Sequence, residues 1–165
     1  MASPATIVVL KTYGSSGSPT EVTVTQPGLL STDNNASPSS SPVVAPSVGT
    51  NYSYECWLRF KCTVAPDNSV TNFKIWSSGV AFGTGLTIKV NSDAVTSYVT
   101  PVNTVSTQGT RVDFSTRDSS SKITVGGTLT AIGDKSNFMV FQEEVISTAT
   151  PGNKSYTMNY QYDES

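Results

Sequence analysis

The chain has 165 residues, a formal net charge of −2, 36% apolar and 13% charged residues, and no histidine. That length supports one buried core, and the near-neutral balance argues against nucleic acid as a partner, because phosphate binding needs a clustered excess of Lys and Arg. The missing histidine removes the commonest general base and a preferred zinc ligand, while 48 Ser and Thr residues suit sheet surfaces and turns rather than helices.

At the start, Met1-Ala2-Ser3-Pro4 precedes an apolar run of only four residues, Ile7 to Leu10. This matches neither a secretory leader nor a bilayer span of about 20 residues, so the expectation is a chain without membrane association that starts in the cytoplasm where it is made. Alternation predicts strands over 6–12 and 21–26, joined as a hairpin through the turn-forming stretch Gly14-Ser15-Ser16-Gly17-Ser18-Pro19. Composition then changes: over 27–50, Pro27, Pro38, Pro42 and Pro46 interrupt a run rich in Ser and Asn. Such a segment cannot offset its ordering entropy with a core of its own. It reads as an extended arm, either a flexible linker or a strap that gains order only against another surface.

The strongest pattern lies at 52–64 and predicts one long strand. Tyr52, Tyr54, Cys56, Leu58, Phe60 and Cys62 fall on one face, and Ser53, Glu55, Arg59 and Lys61 on the other, which only Trp57 interrupts. One dry and one wet face are the mark of an antiparallel sheet over a core. Six residues of strand separate Cys56 from Cys62 by about 20 Å, far beyond the roughly 4.4–6.8 Å between Cα atoms that a disulfide needs. The two read as free thiols in the core, with metal binding or cross-linking to a neighbouring subunit as alternatives. Trp57 has three readings: cover for a neighbouring strand or loop of the same chain, an anchor for a partner protein, or a platform for a sugar ring.

Further strands are predicted at 72–77, paired with 52–64, and at 86–90, 98–102, 111–114, 122–125, 128–132, 138–146 and 154–162. Gly126-Gly127 is read as a two-residue hairpin turn. The fold expected is all-β, an antiparallel β-sandwich of about ten short strands with an extended Pro/Ser-rich arm. It forms a single domain over 1–165: an N-terminal hairpin (5–26), the arm (27–50) and the main sheet (51–165).

No constellation for catalysis emerges, and the expectation is that the chain is not an enzyme and needs neither cofactor nor metal. Glu143 and Glu144 are adjacent, so on a strand they point to opposite faces and cannot flank one bond. Gly79, Gly83 and Gly85 form a loop without the Lys-Ser/Thr pair of a phosphate cradle, and Asp33-Asn34-Asn35 and Asp163-Glu164 lack the spacing of a calcium loop. The Asn-X-Ser triplets at Asn35, Asn51 and Asn153 are chance matches in a chain so rich in Ser.

Several stretches form a recognisable set. They are Ala5-Thr6-Ile7-Val8-Val9-Leu10-Lys11-Thr12-Tyr13-Gly14, Ser53-Tyr54-Glu55-Cys56-Trp57-Leu58-Arg59-Phe60, Phe73-Lys74-Ile75-Trp76-Ser77-Ser78-Gly79, Tyr98-Val99-Thr100-Pro101-Val102 and the ending Tyr160-Gln161-Tyr162-Asp163-Glu164. In this order the chain resembles small virion structural proteins of tailed bacteriophages. The resemblance implies a component made in the host cytoplasm and built into the virion, in particular a capsid decoration or cement protein. Its partners would be the major capsid protein or other virion proteins, with a homo-oligomer, a trimer for instance, as a further option. Trp57, Arg59, Pro38, Pro42 and Pro46 are the candidate interface residues. A carbohydrate- or host-binding module on the tail or capsid surface is the alternative, with Trp57, Trp76 or Tyr98 stacking on sugar rings.

Overall fold

The computed structural model describes residues 4–152 and 154–165, so the reading of Met1, Ala2 and Ser3 and that of Asn153 lie outside the described residues. Ten strands follow in chain order: β1 (Thr6–Tyr13), β2 (Thr20–Thr23), β3 (Thr50–Tyr52), β4 (Cys56–Val64), β5 (Val70–Trp76), β6 (Leu86–Asn91), β7 (Arg111–Asp113), β8 (Ile123–Val125), β9 (Met139–Ile146) and β10 (Asn159–Glu164). A single 3₁₀ turn, Phe114–Thr116, is the only helical element among the described residues. All pairings are antiparallel. The larger sheet runs β2-β1-β4-β9-β6-β7, with β3 also on β9, and the smaller runs β10-β5-β8.

The two sheets face each other as a sandwich, as the alternation predicted. Cys56, Leu58, Phe60 and Cys62 of β4 meet Val70, Phe73 and Ile75 of β5 in one buried cluster. Phe60 and Phe73 stack with ring centroids 5.0 Å apart, and both are fully buried. Each such side chain contributes roughly 1.5–3 kcal/mol through its burial. This packing corrects the expectation that β4 and β5 pair edge to edge. Their apolar faces are satisfied across the sandwich instead, so the turn between them carries the chain from one sheet to the other. The β1/β2 hairpin forms as expected, with Leu10 opposite Thr23 and Tyr13 opposite Thr20.

The long strand expected over 52–64 is broken into β3 and β4 by a bulge. Ser53 donates its N–H to the Glu143 carbonyl at 2.9 Å, whereas Cys56 is paired with Phe141. From 53 to 56 the chain takes three steps against two on β9, and one extra residue reverses which face each side chain occupies. Tyr52, paired with Glu144, therefore leaves the core face that Cys56 to Cys62 keep. Plain alternation cannot reveal a bulge whose two flanks are each regular.

Two further expectations are corrected. Gly126-Gly127 turns no hairpin: Val125 pairs with Phe73 and Leu129 bridges Val70, so the chain keeps its direction along β5 and the glycines supply a kink. Gly127 needs to be glycine, since its φ is +120° and a Cβ there would lie 2.8 Å from Ser136 Cα. Residues 128–132 consequently form no strand, and neither do 98–102, which belong to an irregular strap described below.

The arm over 27–50 carries no regular structure before β3, yet the surface it orders against is its own sandwich. Leu30 is buried, and its carbonyl accepts from Tyr54 N–H at 2.8 Å. The buried Lys11 ammonium donates to the Gly28 carbonyl, and Gly14 N–H donates to Asp33 Oδ2. The arm's first half is thus pinned by apolar burial and three long-range hydrogen bonds.

Candidate functional site

Strand β9 points Met139 and Phe141 into the main core and Val140 out of it. The outward face is roofed by residues 92–110, a strap held mainly by hydrogen bonds. Gln142, itself buried, donates from Nε2 to the carbonyls of Thr104 at 2.7 Å and Ser53 at 3.0 Å, and its Oε1 accepts from Ser106 N–H at 2.9 Å. Glu55 N–H donates to the Val102 carbonyl, and Tyr98 donates its hydroxyl to the Gly14 carbonyl at 2.6 Å. Under this strap Trp57, Val95, Phe138 and Val140 make a second small core.

At the β3 end of the sheet the arm and the strap leave a cleft of about 620 Å³. Residues 42–44 of the arm form one wall, residues 103–105 of the strap the other, and β3 lies between them. Among the described residues lining it there is no Asp, Glu, Lys or Arg. The walls carry solvent-exposed valines, Val44 at 67% and Val105 at 59%, with Val48 at 86% further along the arm. Asn51 fastens the arm wall by donating from Nδ2 to the Val44 carbonyl at 2.8 Å.

The residues singled out from sequence do not gather in one place. Trp57 has no exposed surface: its ring packs edge-on against Tyr98 and Phe138, and its Nε1–H donates to Glu55 Oε2 at 3.2 Å. That position corrects its candidacy as a partner anchor or sugar platform, because the strap already covers it. Arg59 emerges beside it, its guanidinium 4.5 Å above the Phe138 ring and paired with Glu21. Glu21 also pairs with Lys135, so β2, β4 and the chain leading to β9 are tied by one half-buried ionic cluster. Burial pushes the Glu21 carboxyl up, but the hydrogen bonds from Lys135 and Arg59 outweigh it and hold the group below its ordinary value. Of the three prolines, Pro42 lines the cleft, Pro38 lines a separate groove of about 360 Å³ beside β2, and Pro46 is half-buried on the arm.

For sugar stacking, Tyr98 is held in a T-shaped pair with Trp57 and by its hydroxyl on the Gly14 carbonyl, and Trp76 carries the Lys122 ammonium 4.5 Å over its ring. Glu143 and Glu144 do diverge: Glu143 accepts from the Tyr156 hydroxyl at 2.8 Å, and burial raises its pKa. Among the described residues no three His, Cys, Asp or Glu side chains gather where a metal ion could sit. Glu55, with Oε1 lacking a partner, and Arg111, with Nε lacking one, are the polar side chains left incompletely bonded beneath the strap. Burial lowers the Arg111 pKa to about 10, against the pull of Glu55 and Glu144.

Both cysteines are free and buried in the main core. Burial pushes the Cys56 thiol up to about 11 and also raises Cys62, whose Sγ–H donates to the Val64 carbonyl at 3.0 Å. Thiols in this state are inert. The native protein at pH 8 is expected to leave both unmodified by Ellman's reagent until denaturant is added. A rapidly labelled native thiol would contradict that placement.

Sequence reasoning did not single out Val43, Val44, Thr50, Tyr52 or Val105, which build the cleft. A signal was present in the Val43-Val44 pair, the only two adjacent apolar β-branched residues inside the Pro/Ser stretch. Comparison with protein-family models, with curated proteins and with solved structures finds no match for this chain.

Proposed function

We propose that this chain is a structural binding protein that acts by gripping neighbouring subunits, and that it serves as a decoration or cement protein on a tailed-phage capsid. The observation that carries the binding role is the uncharged cleft with its protruding valines. Val44 and Val105 stand exposed on the two walls of one uncharged groove, where a partner's apolar side chains can be buried between them, whereas the similarly exposed Val80 and Ile132 line no such groove. The virion assignment is supported by the sequence resemblance. A rigid sandwich suits the role, since the cleft walls are pinned at Asn51 and Gln142 and little ordering entropy remains to be lost on binding.

The reading predicts that Val44→Asp and Val105→Asp, at positions already exposed, keep the thermal midpoint within a few degrees of the parent. Each is expected to reduce co-sedimentation with capsids made from the same genome without this gene by at least about tenfold, because a charge placed in an apolar contact must be desolvated. Parental occupancy of both variants on those capsids would sink the role given to the cleft. Absence of the unmodified chain from the particles would sink the capsid assignment.

A further inference from the structure

The cleft contains an unused sheet edge. Val145 and Asn51 are opposite one another, and the N–H of the next residue, Ile146, turns away from β3 to the Gly85 carbonyl at 3.0 Å. Ser53 N–H meanwhile points at β9, bonding the Glu143 carbonyl. In an antiparallel ladder such bonds alternate, so 51 and 53 direct their main-chain groups to β9 while 50, 52 and 54 direct theirs the other way. Tyr54 N–H finds the Leu30 carbonyl of the arm at 2.8 Å. Beyond Leu30 the arm swings aside, and among the described residues the outward N–H and C=O of Thr50 and Tyr52 bond to no other segment. These groups face the cleft between its two walls.

We propose that the cleft takes an extended, uncharged segment of a partner polypeptide, which joins the larger sheet as a short strand beside β3 and continues the edge that Leu30 begins. Main-chain bonds to Thr50 and Tyr52 would hold the segment, and Val44 and Val105, on opposite walls, would meet successive side chains, which point to opposite faces of a strand. Two observations select this occupant. The open donors and acceptors need a backbone rather than an apolar surface. The lining has no charge with which to pair an ionic segment. The inference rests on the proposed binding role only in requiring that the cleft has a protein partner.

The test uses the full chain and a capped probe peptide, acetyl-Thr-Val-Val-Val-Thr-amide, which offers valine to both walls, followed by amide NMR and hydrogen exchange. Expected are shifts confined to β3 and the two walls, with the Thr50 and Tyr52 amides becoming protected. The same peptide N-methylated at alternate amides keeps its side chains but cannot pair, and should bind at least about tenfold more weakly, with a Lys-for-Val version similarly impaired. Thr50→Pro deletes one outward N–H and leaves the Asn51 bonds to β9, and should weaken binding about three- to tenfold at an unchanged unfolding midpoint. Equal binding of the methylated and parent peptides, or no binding of the parent at millimolar concentration, would overturn strand addition. If that happens while Val44→Asp still abolishes capsid binding, strand addition falls and the broader role survives. Should Thr50→Pro fail to fold, the methylated peptide on the parent chain still decides the matter.

Discussion

Trp57→Ala is expected to destabilise the fold by about 3–5 kcal/mol and to lower the melting temperature by about 6–20 °C. The indole is wholly buried and contacts Tyr98 and Phe138 edge-on at 5.1 and 5.2 Å, so truncation opens a cavity under the strap that the surrounding main-chain bonds keep from collapsing. Against a typical total stability of roughly 5–15 kcal/mol, that loss is large. Trp57→Phe separates the two components. It keeps most of the ring contact but removes the Nε1–H donated to Glu55, whose Oε1 already lacks a partner, and should cost about 1–3 kcal/mol through the stranded carboxylate. Urea denaturation of the three proteins measures both terms. An alanine variant that melts with the parent yet no longer binds capsids would restore Trp57 as a partner anchor and contradict its buried position.

The same residue shows how far the sequence carries. The placement of Cys56, Leu58, Phe60 and Cys62 on a dry face was legible because alternation within one regular strand is a local property of the chain. Trp57 was legible only as an anomaly on the wet face. What resolves it is the strap, which lies about 40 residues later in the chain and has no periodicity of its own. Alternation places Arg59 on the wet face, but its partner Glu21 is on another strand and its aromatic contact, Phe138, is farther still. The cleft was hidden for a related reason. It is made of three short pieces from the arm, β3 and the strap, each unremarkable in isolation, and it exists because one extra residue at 53–56 ends β3 and starts β4. Bulges, crossings between sheets and irregular straps depend on partners far off in sequence, so local pattern reading sees the strands and misses how they are joined.

Gln142→Leu should release the strap from the sheet. The substitution keeps nearly the same volume, so no cavity is created and the effect isolates the polar bonds. Leucine strands the carbonyls of Ser53 and Thr104 and the N–H of Ser106, all of which the native amide satisfies. Each buried orphan costs about 1–3 kcal/mol, but the strap can lift and let water reach Thr104 and Ser106, which limits the net loss to about 2–4 kcal/mol. Opening should therefore be local before it is global: hydrogen exchange at Ser106 is expected to accelerate by on the order of a hundredfold, while amides of β1 and β4 change only with overall stability. Gln142→Glu should be worse than Gln142→Leu. It retains an acceptor for Ser106 but sets a carboxylate against the two carbonyl oxygens that the native amide satisfied, a close repulsive contact that leucine does not create. Because residues 103–105 form one wall of the cleft, loosening the strap must also weaken capture of the probe peptide. A Gln142→Leu protein whose Ser106 amide stays protected would show that burial of Val95 and Tyr98 over Trp57, rather than the glutamine, holds the strap in place.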